Sequence, residues 1–431
     1  MSCGSPKSRD EIMKPRLVIV GASYAGLQLA ASARESGHDG DIVLIGDEPH
    51  APYQRPPLSK GFLTGSFAEE RLPLRSPAFY GEMQIQWMPS TRALRINRER
   101  KEIELHDGAR LAYDHLALTT GARVRKLDCK GASHDAVYYL RDLRDARRLV
   151  ERTQTARRAV VVGGGYIGLE AAASLRQKGL DVTVVETEAR VLARVASPSI
   201  SVIMQRAHTR HGVSLALGRK VVAIHDVADG VAVELDDGAR LSCDLVVVGI
   251  GVLPNTELAA GCGLEVAGGI VVDACARTSD PSIVAAGDCA AFVPYWAPAG
   301  SAACRIESVQ NANDMARTAA ASVLGRSEPY RAVPWFWSDQ YDLKLQMAGV
   351  NTGFTDFAVR GSIDEGKFSL FYFRDDTLVA VDSINRPQDH MLARKLLSTG
   401  TRLSVEDIND PGFDLKAFAN RDAGVAHGAA S

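Results

Sequence analysis

The chain has 431 residues, 46% of them apolar and 24% charged. That is about three domains of an ordinary globular protein with sizeable cores, and it excludes a disordered chain. Fifty Lys and Arg against 52 Asp and Glu leave a formal net charge of −2, which excludes a protein built around a nucleic-acid backbone.

Residues 1–14 are polar and mixed in charge, carry no apolar signal-peptide core, and read as a flexible extension. Leu17-Val18-Ile19-Val20 follows as a strand, then the turn Gly21-Ala22-Ser23-Tyr24-Ala25-Gly26 and a helix rich in small residues. The uncharged run from Leu17 to Ala33 contains Gly21, Ser23, Gly26 and Gln28, so it falls short of a membrane span. A second strand, Ile42-Val43-Leu44-Ile45, closes on Gly46-Asp47. From Glu104 to Leu111, Asp107-Gly108 sits between short alternating segments, the signature of a β-hairpin. The apolar strand His115 to Leu118 comes next and runs into Thr119-Thr120-Gly121-Ala122.

The same plan then returns. Ala159-Val160-Val161-Val162 leads into Gly163-Gly164-Gly165-Tyr166-Ile167-Gly168, and Val182-Thr183-Val184-Val185 ends in Glu186. A second hairpin, Glu234 to Leu241, repeats Glu104 to Leu111 almost residue for residue, and Leu245 to Val248 runs into Gly249-Ile250-Gly251. Beyond about Tyr330 the character changes. Trp335-Phe336-Trp337 is followed by an alternating hairpin, Phe368 to Phe373 and Leu378 to Val381, then by the helical stretch Met391 to Leu397. The Ala- and Gly-rich end, Ala423 to Ser431, reads as frayed.

A Gly-rich turn between strand and helix lets the backbone approach a pyrophosphate, whose charge then meets the N–H groups at the helix start. The acid ending the next strand accepts hydrogen bonds from a ribose diol. Both units carry all these parts, so two dinucleotides are expected, and with them hydride transfer between a nicotinamide and a flavin. Ser23 replaces the middle glycine of the first turn, where a Cβ comes nearest the pyrophosphate. The expected fold is α/β: two Rossmann-like dinucleotide-binding domains of the glutathione-reductase-like plan and a small C-terminal α+β domain. The FAD-binding domain is expected over 15–117 and 252–329, the NAD-binding domain over 118–251, and the C-terminal domain over 330–431.

The seven cysteines are scattered, odd in number and without a C-x-x-C pair, so neither a disulfide framework nor a metal site of the usual spacing is expected. A reducing cytoplasm is the natural setting. No cysteine lies between Gly26 and Ala122, where disulfide reductases of this plan need a redox-active pair and NADH peroxidases need one thiol. Electrons must therefore leave the flavin directly for an external acceptor.

Further motifs make the sequence familiar. Tyr53-Gln54-Arg55-Pro56-Pro57-Leu58-Ser59-Lys60, Thr278-Ser279-Asp280-Pro281, Ala286-Gly287-Asp288-Cys289, Arg305 to Ala312 and Pro334 to Gln340 resemble the putidaredoxin-reductase type of ferredoxin reductase. These are FAD- and NADH-dependent partners of [2Fe–2S] ferredoxins that feed haem-thiolate monooxygenases or Rieske-type oxygenases. The resemblance runs from about Lys14 to about Lys395; Ser23 and Thr119-Thr120-Gly121, where the family usually has Ala-Thr-Gly, depart from it.

The resemblance implies roles. Ala25, Asp47, Lys60, Ala93, Arg141, Asp288 and Val309 match FAD-contacting positions, with Asp288 at the ribityl or phosphate region. Gly21, Ser23, Gly26, Arg55, Thr120, Gly121, Gly287 and Ser308 complete the FAD candidates. Gly163, Gly165, Tyr166, Ile167, Gly168, Glu186, Arg194 and Gly251 are the NADH candidates, while Arg190 could instead reach a 2′-phosphate. Lys60 is implied to lie near flavin N5 and to pair with Glu170, where a positive charge stabilises reduced flavin. Trp337 matches an aromatic near flavin and nicotinamide; the polar run Ser338-Asp339-Gln340 beside it favours an edge over a centre.

A ferredoxin is expected to dock on basic side chains, foremost Arg317, then Arg394 and Lys395, of a monomer or weak dimer. Other acceptors (rubredoxin, a quinone, oxygen) stay open, as does a redox-controlled binding protein resembling apoptosis-inducing factor. Neither nucleic acid nor membrane is an expected partner.

Overall fold

The computed structural model describes residues 14–297 and 300–421; apart from Lys14, the expected N-terminal extension and the frayed tail lie outside them. Val, Leu and Ile runs without alternation need both faces of a sheet covered, as in parallel α/β sheets. Two five-stranded parallel sheets form accordingly. In the first, Ile283–Ala285, His115–Leu118, Leu17–Val20, Ile42–Ile45 and Ile85–Met88 lie side by side in that order. The second has the order Ser214–Leu217, Asp181–Glu186, Arg158–Val162, Leu245–Val248 and Val137–Tyr139.

Strand Ile283–Ala285 brings the chain back into the first sheet after the second unit is complete. The two crossings between the units, Ala122–Val124 and Val252–Pro254, pair antiparallel. Helix Tyr24–Glu35 packs on helix Val309–Val323 through small buried residues, among them Ala30, Ala33, Ala316 and Ala319. Each expected hairpin forms and gains a third strand, Ala93–Asn97 in the first copy and Val221–Val227 in the second.

The C-terminal domain is a five-stranded antiparallel sheet in the order Trp335–Gln340, Leu343–Gly349, Thr377–Ile384, Lys367–Arg374, Asp356–Ser362. Asp375 and Asp376, with φ of 47° and 61°, form the two-residue turn of its central hairpin. The expected alternation is corrected here, because both faces of that hairpin are covered. Phe368, Leu370 and Tyr372 pack toward the NAD-side core, whereas Phe371 and Phe373 pack under the C-terminal helices. The helix expected at Met391 begins earlier, at Pro387, and ends at Thr399 before Gly400. Helices Val405–Asn409 and Leu415–Arg421 complete that cover. Among the described residues no helix is long and apolar enough to cross a membrane.

Candidate functional site

The two glycine turns share one geometry. Gly21 and Gly163 take φ of +113° and +107°, and a Cβ on Gly26 or Gly168 would stand 2.0 Å from the carbonyl oxygen of Gly21 or Gly163. The last glycine of each turn therefore lets helix and strand touch and does not itself line the cavity. The middle position is different. A Cβ on Gly165 would meet nothing within 4 Å, an open cradle at the start of a helix whose first N–H groups have no intrahelical acceptor. Ser23 occupies the equivalent place with φ of −133°, an extended conformation that suits any L-residue, and its side chain borders the same kind of space. Both cradles fit a pyrophosphate.

One cavity of about 840 Å³ connects the turns. On the first side it is lined by Gly21, Ser23, Ala25, Asp47, Arg55, Thr120, Gly121, Arg141, Gly287, Asp288, Ser308 and Val309. On the second side stand Gly165, Tyr166, Ile167, Glu186, Arg194 and Gly251, with Lys60, Glu170 and Trp337 between. Besides Gly26 and Gly168, two candidates are not among the lining residues: Gly163, whose backbone forms the turn, and Ala93, buried in its strand. No cysteine lines the cavity among the described residues.

At the junction, Lys60 Nζ lies 2.8 Å from Glu170 Oε2. Glu170 is 2% exposed, and its carboxylate also accepts from Ser59 Oγ at 2.6 Å and Ser338 Oγ at 2.7 Å. A buried carboxylate needs this full set of donors, since an unpaired charge there is strongly destabilising. The pair joins three parts of the chain: Ser59 and Lys60 from the first unit, Glu170 from the second, and Ser338 from the C-terminal sheet. The roles of Ser59, at the end of the short helical turn Pro56–Ser59, and of Ser338, on strand Trp335–Gln340, were not visible in the sequence. The edge expected at Ser338-Asp339-Gln340 is found, since their strand is the outermost of its sheet and Trp337 lines the cavity. Ser338 and Gln340 are nevertheless buried, 0% and 1% exposed, because Ser338 meets Glu170 and Gln340 meets His208.

Trp337 turns the opposite way into the cavity, its ring 5.5 Å from that of Trp335. Phe336, on the inward face, lies 4.7 Å from Tyr166. On the first side, Arg55 donates to the Arg141 carbonyl at 2.7 Å and pairs with Glu48, a residue the sequence reading passed over. Burial pushes the Asp288 carboxyl up, while Arg141, 3.7 Å away, Arg305 and Arg55 pull it back. Burial and the like charge of Arg55 lower the Arg141 guanidinium. These groups offer both donors and acceptors to a polyol and its phosphates. Asp47 is exposed and paired with Arg92 at 3.1 Å.

On the second side, Glu186 Oε2 accepts from the Gly164 N–H at 2.6 Å and Oε1 from the Glu188 N–H at 2.9 Å. Arg190 is committed elsewhere, donating to Ser201 Oγ at 2.6 Å and the Ala196 carbonyl at 3.0 Å. Of the basic candidates, Arg394 lies 4.7 Å over the Trp335 ring, Arg317 is paired with Asp314, and Lys395 turns to Asn420.

A parallel sheet pair with two dinucleotide cradles, one shared cavity and a third, antiparallel domain defines a pyridine-nucleotide flavoprotein reductase. Residues 15–316 match the model of the pyridine nucleotide-disulphide oxidoreductases, and 335–419 that of the reductase C-terminal domain. Rhodocoxin reductase of Rhodococcus erythropolis is 48% identical, with 93% of each chain covered. The ferredoxin reductase of the CYP199A2 system from Rhodopseudomonas palustris superposes with a TM-score of 0.91 at 44% identity, covering 94% of this chain and all of the other. The putidaredoxin reductase of a covalent putidaredoxin complex gives 0.90 at 39%, covering 95% and 99%. The chain belongs to the pyridine nucleotide-disulphide oxidoreductases, and within them to the ferredoxin reductases of oxygenase systems.

Proposed function

We propose that the protein takes electrons from NADH through non-covalently bound FAD to a [2Fe–2S] ferredoxin that serves a haem-thiolate monooxygenase or a Rieske-type oxygenase. The observation that carries this reading is the single cavity joining both cradles at the Lys60–Glu170 pair. Bound FAD supplies two-electron acceptance from a nicotinamide and one-electron release to an iron–sulfur protein.

The chain's own residues supply the rest. The turn at Ser23 and the helix start at Tyr24 hold the FAD pyrophosphate, and Asp47 takes the neighbouring ribose. Asp288 and Arg141 hold the polyol and phosphate region, and the helix starting at Val309 turns its N–H groups toward the cavity. Lys60 places a positive charge where negative charge develops, and Glu170 fixes it there. Gly165 and the Tyr166 helix start receive the NADH pyrophosphate, Glu186 its adenosine ribose, and Trp337 covers the junction. The proposed domain limits lie near 117/118, 251/252 and 329/330, although the first falls one residue before the end of strand His115–Leu118 of the first sheet. Six free cysteines among the described residues support a reducing compartment, the cytoplasm.

Acid precipitation of the purified yellow protein should release one FAD per chain. Flavin retained on the denatured polypeptide, or FMN in the supernatant, contradicts the assignment.

A further inference from the structure

Behind the Lys60–Glu170 pair a row of buried polar side chains leads away from the cavity. Ser338 Oγ donates to Glu170 Oε1 at 2.7 Å and accepts from Gln340 Nε2 at 3.0 Å. Gln340 Oε1 is 2.8 Å from His208 Nε2, and His208 Nδ1 is 3.4 Å from the Tyr341 hydroxyl. Ser338, Gln340 and His208 are 0%, 1% and 0% exposed, and none of them lines the cavity. Helix Pro198–Arg210 contributes the histidine and strand Trp335–Gln340 the serine and glutamine.

Hydrogen-bond inventory gives this row a single direction. An ionised carboxylate only accepts, so Ser338 must donate to Glu170. The serine oxygen is then free to accept from the Gln340 amide nitrogen, which turns the Gln340 carbonyl toward His208. That carbonyl requires a proton on His208 Nε2 and leaves Nδ1 as the acceptor facing Tyr341. Burial lowers the His208 imidazole, in favour of the neutral ring with one donor and one acceptor. The titratable groups around it act in the same sense or are neutral. His211 repels a second positive charge, and the Tyr341 ring stands edge-on at 5.1 Å, stacked in turn on His211 at 3.7 Å. Reversing any one member would set donor against donor or acceptor against acceptor inside the protein, where unmade hydrogen bonds are costly.

We propose that Ser338, Gln340 and His208 are positioning residues for electron transfer from NADH, acting as a one-way donor chain that aims the Glu170 carboxylate at Lys60. This rests on the reading of Lys60 as the cation beside the flavin. Glu170 sits on a helix with a flexible side chain of its own, and Ser59 and Lys60 both meet one oxygen, Oε2. The chain from His208 fixes the other oxygen and with it the carboxylate plane. A role limited to gluing the C-terminal sheet onto the NAD-side helices would need the same contacts and the same proton direction, but would leave the rate of flavin reduction unchanged when the row is broken.

Nitrogen-15 NMR of histidine-labelled holoenzyme at pH 7 should show His208 neutral with its proton on Nε2, and Ser338→Ala should weaken that tautomer preference. A proton on Nδ1, or a tautomer indifferent to Ser338→Ala, overturns the proposal even if no other variant folds. At saturating NADH, Ser338→Ala should slow flavin reduction roughly tenfold with KM for NADH little changed, and Ser338→Thr should restore most of it. His208→Phe should slow the same step about threefold alone and not at all in the Ser338→Ala background, the non-additivity expected of one network. Losses of thermal stability with the reduction rate intact would reduce the row to glue and refute it. Lys60→Met separates the two readings. If it leaves reduction unchanged, the Lys60 assignment fails; if it slows reduction while Ser338→Ala does not, the donor chain alone fails.

Discussion

In the proposed function, Glu186 is the carboxylate that chooses between two nucleotides. Its oxygens accept from the N–H groups of Gly164 and Glu188 and from the Thr187 hydroxyl, which fixes the charge at the strand end where it lines the cavity and leaves part of its lone-pair capacity unused. A ribose diol can donate to those lone pairs, whereas a 2′-phosphate meets a fixed negative charge. NADH should therefore be preferred over NADPH at least about tenfold in kcat/KM, about 1.4 kcal/mol. Glu186→Ala should shrink the preference mainly by weakening NADH, and equal kcat/KM for the two nucleotides in the unaltered protein contradicts the assignment. The residue was legible because strand, turn and acid stand at a fixed spacing. Arg190 was ambiguous until its bonds to Ser201 and Ala196 removed it from the site. Ser59 and Ser338 were not legible as partners of Glu170, because no local pattern links residues 111 and 168 positions apart.

Elements were legible wherever one period dominated. The four-residue strands Leu17–Val20 and Ile42–Ile45 and the helix after each turn follow from apolar runs and small-residue spacing. The C-terminal hairpin was harder, because residues on its second face are also apolar and pack on helices that the local sequence does not announce. On the opposite face, beside Leu370 and Tyr372, Asp382 is a polar exception, 1% exposed. Its carboxyl accepts from the Tyr372 hydroxyl at 2.8 Å, and Tyr372 in turn meets Ser197 at 2.7 Å across the domain junction.

Burial pushes the Asp382 carboxyl up to about 7. A value raised above that of the unfolded chain, roughly 4, means that the contribution to stability is full below about pH 4. That contribution is lost as pH rises through 7. Asp382→Asn should accordingly raise the Tm of the holoenzyme at pH 8, with a gap that narrows as pH falls and closes near pH 4. A gap that stays constant over this range would show that Asp382 does not titrate in the fold.

At the scale of the whole molecule, the duplicated plan was legible because two units repeat turn, strand, acid and hairpin in the same order. Their meeting at one carboxylate, with a third domain closing on it, belongs to tertiary packing and was only implied by the family's motifs. The same packing sets the outer face. Arg394 stacks on Trp335, which stands beside Trp337 at the cavity wall, so a positive charge lies close to the route out of the site. Arg317, on the helix that begins at Val309, carries a second charge that Asp314 partly compensates. An acidic ferredoxin would be steered to this face, and steering fades as salt screens it. Ferredoxin reduction should slow as ionic strength rises from about 0.05 to 0.5 M. Arg394→Glu and Arg317→Glu should each lower ferredoxin turnover severalfold while leaving NADH-to-ferricyanide turnover nearly intact; a parallel fall in both activities would remove these residues from docking.

Electron delivery to an iron–sulfur protein is tested by anaerobic stopped-flow mixing of the holoenzyme and NADH with [2Fe–2S] ferredoxins. A ferredoxin should be reduced, two molecules for each NADH consumed, at a rate well above that of oxygen or a quinone offered at the same concentration. If no [2Fe–2S] ferredoxin outruns oxygen or the quinone, the protein is a reductase of some other acceptor.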